Sequence, residues 1–270
     1  MPSTSAWDAV ASGNGICVAV ASGGAGTIAA YSPDNGVSWA PSTLPVSTVW
    51  NNICFGNGIF IATSFSTNDV AITTDGHTWT HSTLPASDTP TGNAIAFGNG
   101  TFVVVSGTNA YLTTDGVTWT THPIGIAANA VTFGAGIFVA VGSGGAAASA
   151  TSPDGVTWTV TSLSAALNWN AVTYGPGGFV AVAGSPSIPG TSAAVSPDGR
   201  AWTSSTLPSS QNWYSVAYGN GIYVATAFQT HIGATTTDGV TWTALALPSS
   251  VYVQDLIYTS SLGEDFVMML

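Results

Sequence analysis

Short runs rich in Val, Ile, Ala and aromatic residues alternate along the chain with clusters of Gly, Ser, Thr, Asn and Asp. One stretch shows the pattern. The run 170–174 is followed by Gly175-Pro176-Gly177-Gly178 and then by the run 179–183. A loop leads to 192–195, a turn at Asp198-Gly199, and a last run over 201–207. The runs are short and β-branched, and none has helical periodicity, so they predict strands separated by turns.

The pattern repeats. An Asp-Gly turn followed by Thr or Ser and then Trp occurs as Asp34-Asn35-Gly36-Val37-Ser38-Trp39, Asp75-Gly76-His77-Thr78-Trp79, Asp115-Gly116-Val117-Thr118-Trp119, Asp154-Gly155-Val156-Thr157-Trp158 and Asp238-Gly239-Val240-Thr241-Trp242. A further copy, Asp198-Gly199-Arg200-Ala201-Trp202, has Ala in place of the hydroxyl residue. Successive Trp residues are 40, 40, 39, 44 and 40 positions apart. A second marker, aromatic-Gly-x-Gly-x-aromatic, recurs from Phe55-Gly56-Asn57-Gly58-Ile59-Phe60 to Tyr218-Gly219-Asn220-Gly221-Ile222-Tyr223. Its Asn-Gly pairs are strong hairpin signals because both residues tolerate positive φ.

Four antiparallel strands in a unit of about 40 residues describe a propeller blade. The expected fold is all-β, a single propeller domain over 1–270. Its repeats fall at about 7–48, 49–90, 91–126, 127–166, 167–210 and 211–250, with a partial blade at 251–270. Seven first strands are expected, centred on Val10, Ile53, Ile95, Val131, Val172, Val216 and Leu256, against six Asp turns. The expectation is six full blades and a partial seventh closed by the two termini, with Met1–Thr4 as the end of a fourth strand. The alternative is a six-bladed ring with a spare C-terminal strand pair, whose open edge could pair with another subunit.

The segment from Ser32 to Trp39 matches the Asp-box pattern Ser-x-Asp-x-Gly-x-Thr/Ser-Trp in full; the other copies lack the residue between Asp and Gly. The chain thus resembles the Asp-box, or BNR-repeat, propellers of the sialidase-like superfamily over nearly its whole length. The resemblance implies that the box lies in the turn between third and fourth strands and that Asp34, Asp75, Asp115, Asp154, Asp198 and Asp238, with Trp39, Trp79, Trp119, Trp158, Trp202 and Trp242, are structural. Sialidases of that superfamily use three arginines, a Tyr/Glu pair and an Asp. One arginine, Arg200, and one glutamate, Glu264, cannot make that set. The implied branch is non-catalytic.

Charge narrows the partners. Charged residues make up 5% of the chain and its net charge is −11, where ordinary soluble proteins carry roughly 25% charged residues. With no Lys and a single Arg, binding to nucleic acid or to an anionic membrane is not expected. No run reaches the roughly 18 apolar residues of a membrane span. No signal peptide is visible at Met1–Ala6, yet the Ser/Thr/Gly-rich make-up suits an extracellular or virion-surface protein. Cys17 and Cys54 sit in apolar runs, where two buried thiols are favoured over a disulfide between neighbouring blades.

Outside the boxes, Asp8 and Asp255 fall near equivalent places on first strands that ring closure brings side by side. They are the pair expected if the chain were a carboxylate-dependent glycoside hydrolase or lyase. The competing reading is a polar rim, because Asn51, Asn93, Asn129 and Asn170 match Asp8. His77, His81, His122 and His231 show no ligand spacing. No metal or cofactor is expected, although an Asp turn could hold calcium. The loops opposite the boxes vary most from unit to unit and are where specificity is expected. Trp7, Trp50, Trp169 and Trp213 stand at that face, at the entries to their first strands. With Phe65, Asn68, Asp69, Phe228 and His231 they form the candidate ligand site, although inter-blade packing is the competing role for the tryptophans. The expected function is that of an adhesion or receptor-binding head for a neutral glycan or a protein receptor. The other alternative is a structural fibre or capsid subunit assembling through residues 251–270.

Overall fold

The structure is a computed structural model that describes residues 7–21, 26–85, 94–143, 148–187 and 189–247, and the backbone of 256–258 and 266–268. All of its regular elements are strands, paired antiparallel. The first sheet is β1 (Trp7–Gly13), β2 (Ile16–Ala21), β3 (Gly26–Ser32) and β4 (Ala40–Thr48). The second is β5 (Trp50–Gly56), β6 (Ile59–Ser64), β7 (Asp69–Thr73) and β8 (Thr80–Thr83). A six-stranded sheet follows, built from β9 (Ala94–Gly98), β10 (Thr101–Thr113), β11 (Thr120–Gly134), β12 (Ile137–Ser143), β13 (Ser149–Ser152) and β14 (Thr159–Thr161). Next come β15 (Trp169–Gly175), β16 (Gly178–Ala183), β17 (Gly190–Ser196) and β18 (Thr203–Gln211). The last four-stranded sheet is β19 (Trp213–Gly219), β20 (Ile222–Ala227), β21 (Ile232–Thr236) and β22 (Thr243–Ala246). β23 (Leu256–Tyr258) and β24 (Phe266–Met268) form a separate pair.

The propeller expectation therefore stands, but the blade count is corrected. Strand pairing divides the ring into five blade sheets, four of four strands and one of six. It does not give six full blades with a partial seventh, nor a six-bladed ring. The difference arises in mid-chain. β10 pairs with β9 through Thr101–Val105 and with β11 through Gly107–Leu112, and β11 continues into pairing with β12 from Ala127 to Gly134. Gly107 and Gly125, at φ 54° and 86°, mark an irregularity inside these strands, where the β10–β11 register shifts from Gly107 opposite Ala128 to Asn109 opposite Pro123. Sequence signals had assigned the two halves of this sheet to separate units. Strands do occur at all seven expected first-strand centres. The segment Met1–Thr4 lies outside the described residues.

The innermost strands neighbour one another in turn: β1 beside β5, then β9, β11, β15 and β19, with β23 against both β19 and β1. Two devices join successive units. First, the glycine that ends an inner strand receives the ring of the next unit. A Cβ on Gly13, Gly56, Gly98 or Gly134 would lie 2.0–2.2 Å from a ring carbon of Phe55, Phe97, Phe133 or Tyr174. Second, Asn57, at φ 47°, reaches across its hairpin to donate to Gly100 O at 2.9 Å, as Asn14 does to Gly58 O. Glycine is needed at the first kind of place by contact, whereas the asparagine tolerates its left-handed backbone.

The box residues behave as turns. Asp115 Oδ1 accepts the N–H groups of Val117 and Thr118 at 2.8 and 2.9 Å and the hydroxyl of Thr113 at 2.9 Å. Asp75, Asp154 and Asp238 repeat this set, and Asp198 accepts the N–H groups of Arg200 and Ala201. Trp119 Nε1 donates back to Gly116 O, as Trp39, Trp158, Trp202 and Trp242 do to their own glycines. Trp79 instead donates to Ser42 Oγ of the preceding sheet. These bonds favour the ionised carboxyl. The Ser38 hydroxyl and N–H hold Asp34 down to about 2, and backbone N–H donors, first those of Thr78, Thr118, Thr157, Ala201 and Thr241, hold the other five below the ordinary value.

Candidate functional site

At the mouth of the ring axis, on the face opposite the boxes, lies a cavity of about 710 Å³. Its wall is built by one repeated irregularity. β1, β5, β15 and β19 each begin with a β-bulge, and β11 carries one where its pairing with β12 begins: the register shifts between Trp7 and Ala9, Trp50 and Asn52, Trp169 and Ala171, Trp213 and Ser215, and Ala128 and Ala130. The residues skipped by the register are Asp8, Asn51, Asn129, Asn170 and Tyr214, and all five line the cavity. A bulge bends a strand and re-aims a side chain. Here it separates two neighbours: the residue before the skipped one turns into the blade stack, and the skipped one turns toward the axis.

The tryptophans take the first course, which corrects their assignment as ligand-stacking residues. Trp7, Trp50, Trp169 and Trp213 are 0–2% exposed. Trp50 packs among Val18, Val20, Phe60 and Ala62, and Trp213 among Val180, Val182, Tyr223 and Ala225. The indole N–H groups of Trp50, Trp169 and Trp213 donate to Val46 O, Ala165 O and Ser209 O at 3.0–3.2 Å. Burying one indole removes roughly 150–250 Å² from water, a stabilisation of at most about 4–6 kcal/mol. No ring face is left to stack on a sugar.

The rest of the predicted set divides. Phe65 and Phe228 reach the cavity wall, and Phe65 remains 48% exposed. Phe228 meets Tyr214 ring to ring at 5.1 Å. Asn68, Asp69 and His231 are not in the wall. Asp69 instead accepts from Thr67 Oγ1 at 2.6 Å and pairs with His81 Nε2 at 2.8 Å. Asp8 lines the cavity, but Asp255, like Asn93 and Glu264, lies outside the described residues. The described part of the wall holds one carboxylate and no histidine. Among the described residues no cluster of His, Cys, Asp and Glu suits a metal ion. Cys17 and Cys54 are free thiols, and burial pushes both up in pKa.

The sequence places Asp8, Asn51, Asn93, Asn129 and Asn170 in register as a rim; Asn93 lies outside the described residues, and three of the other four are carboxamides. Asn129 Nδ2 donates to Trp169 O at 3.1 Å, and Asn170 Nδ2 donates to Gly184 O and Trp213 O, both at 2.7 Å. These bonds tie β11 to β15 and β15 to β19 and fix the amide orientations. The residues missed were Tyr214, Asn168, Asn212, Ser143 and Ser185, all in the wall. Tyr214 was findable, since it follows Trp213 as Asp8 follows Trp7 and Asn170 follows Trp169. It is 44% exposed.

No protein-family model and no curated protein matches the chain. Solved structures do. Selenomethionine-substituted virginiamycin B lyase from Staphylococcus aureus superposes with a TM-score of 0.84 at 13% identity, over 100% of this chain and 93% of that one. YCF48 from Cyanidioschyzon merolae gives 0.73 at 14%, over 97% and 92%. YCF48 bound to D1 peptide gives 0.72 at 19%, over 96% and 87%. One of these neighbours is an enzyme and another a peptide-bound protein, and at such identities the likeness establishes the β-propeller fold alone.

Proposed function

We propose that the chain is a non-enzymatic propeller of the Asp-box type that works outside the cell or on a virion surface. Its axial cavity binds an extended segment of a partner protein. The observation that carries this reading is the convergence of five bulge residues, Asp8, Asn51, Asn129, Asn170 and Tyr214, on one cavity flanked by Phe65 and Phe228. A wall of backbone-anchored polar groups beside exposed aromatic rings suits a peptide, whose main chain needs hydrogen-bond partners and whose side chains need apolar ones. The neutral-glycan version loses the four tryptophans as stacking rings, because all four are buried. The YCF48 structure, with a D1 peptide bound, supports the idea that a propeller of this shape can present a peptide site.

The test is a random peptide library selected on the intact chain. Its hits are then titrated against the parent and against Tyr214→Ser and Asn129→Ala. Hits that lose at least about tenfold in affinity, or roughly 1.4 kcal/mol, on either cavity change support the reading. Hits indifferent to both, or saturable binding of neutral oligosaccharides that excludes the peptides, contradict it.

A further inference from the structure

Phe65 and Phe228 flank the cavity from matching loops but are held there by different means. Each is the first residue after its second strand, and their N–H groups donate to Val49 O and Asn212 O at 2.8 and 2.9 Å. Phe228 is backed by the Tyr214 ring. The residue matching Tyr214 in the sheet of Phe65 is Asn51, so no ring backs Phe65 from that place. The Phe65 loop carries a chain of polar side chains instead. Thr67 Oγ1 donates to Asp69 Oδ2 at 2.6 Å and lies 2.9 Å from Ser64 Oγ and 3.2 Å from Thr48 Oγ1. The Ser64 and Thr48 hydroxyls are buried and 2.8 Å apart. Asp69 Oδ1 meets His81 Nε2 at 2.8 Å, and Asn68 O accepts the Leu84 N–H at 2.8 Å.

We infer that Thr67, Asp69 and His81 are positioning residues that hold Phe65 at the cavity mouth, although none of the three is in the wall. This rests on the reading that a peptide occupies the cavity. A carboxylate can only accept, so Asp69 fixes the direction of the Thr67 hydroxyl, whose oxygen is left to accept from Ser64 or Thr48. Ser64 directly precedes Phe65, and Thr48 ends β4 of the preceding sheet. The loop is thereby tied to β7 and β8 on one side and to β4 on the other. The Asp69–His81 pair is particular to this unit. In the other four-stranded sheets the matching places hold Ile28 and Pro41, Ser192 and Ser204, and Ile232 and Ala244. In the β15–β18 sheet the matching loop residue is Gly184, which has no ring to hold, and in the β19–β22 sheet Tyr214 does the holding. Phe65 is 48% exposed. A ring fixed before the partner arrives has less freedom to lose on binding.

Two measurements on the intact chain test it. In the first, the phenylalanines are replaced by para-fluorophenylalanine, and the fluorine NMR signals of Phe65 and Phe228 are assigned from Phe65→Leu and Phe228→Leu. Thr67→Val, which keeps the side-chain shape without the hydroxyl, and Asp69→Ala are each expected to shift or broaden the Phe65 signal and to leave that of Phe228 in place. An unmoved Phe65 signal, or an equal change in both, overturns the inference. In the second, a library-selected peptide is titrated against the parent, Phe65→Ala, Thr67→Val and the double variant. Each single change is expected to cost at least about threefold in affinity, and the double variant no more than Phe65→Ala alone, because Thr67 acts through the ring. Losses that multiply overturn the inference, as does a peptide that needs Phe65 but tolerates Thr67→Val, and both outcomes leave the peptide reading in place. If no peptide responds to Phe65→Ala, Tyr214→Ser or Asn129→Ala, the peptide reading fails, and the fluorine signals still decide the positioning role.

Discussion

Single residues set both the stability and the acid response of this chain. Each box carboxylate accepts hydrogen bonds only the folded turn supplies, so its folded pKa lies below its unfolded one, reaching about 2 for Asp34 against an ordinary 3.8. For a depressed carboxyl, the contribution to stability is complete above the unfolded pKa and is lost as pH falls through the folded pKa. Thermal unfolding followed from about pH 7 to about pH 2 should therefore give a nearly constant midpoint down to about pH 5, then a steady fall between about 4 and 2. A midpoint that rises over that acid range would contradict the turn role. The buried indoles give a second residue-scale prediction. Trp169→Ala should lower stability by about 3–5 kcal/mol, as large-to-small core changes do, measured by denaturant unfolding. Trp169→Phe, which keeps most of the apolar volume, should lose less and still bind selected peptides as the parent does. Loss of binding by a folded Trp169→Phe protein would return the indole to the site.

Among elements, the hairpin turns joining inner to second strands hold neighbouring units in register. Gly98 and Gly100 are two residues apart but are needed for different reasons. A Cβ at Gly98 would lie 2.1 Å from Phe133, whereas at Gly100, with φ 79°, it would meet nothing within 4 Å. Gly98→Ala should cost about 1–3 kcal/mol through forced repacking. Gly100→Asn should stay within about 1 kcal/mol, because Asn enters the left-handed region readily. Equal losses from the two in chemical denaturation would contradict this division of roles. Both glycines were legible in the sequence, since the aromatic-Gly-x-Gly-x-aromatic pattern of Phe97 to Phe102 recurs from Phe55 to Tyr223. The axial bulges were not. Trp50-Asn51-Asn52 reads equally well as an even strand, and a one-residue slip decides which side chain faces the axis. That ambiguity sent the tryptophans to the ligand and left Tyr214 unremarked. The joining of β9–β14 into one sheet was hidden for a related reason. Ser106–Asn109 reads as a loop between second and third strands and 126/127 as a unit boundary, but β10 and β11 pair on both sides of these places, from Gly107 with Ala128 to Leu112 with Thr120.

For the whole molecule, the repeat assigns its two faces to different work. The box face is nearly invariant from unit to unit and closed by its own hydrogen bonds. The opposite face gathers one residue from each of five inner strands around a cavity whose described wall holds one carboxylate and no Lys, Arg or His. Salt dependence belongs to this scale as well. The protein's overall field should speed encounter with a basic segment at low ionic strength, while the cavity contacts set how long it stays. The most direct measurement is the affinity of a library-selected peptide for the parent chain, for Tyr214→Ser at the cavity and for Val117→Ser on the exposed box face. The account predicts at least about a tenfold loss, or roughly 1.4 kcal/mol, for Tyr214→Ser and none for Val117→Ser. The reverse order would place the binding surface on the boxes and contradict it.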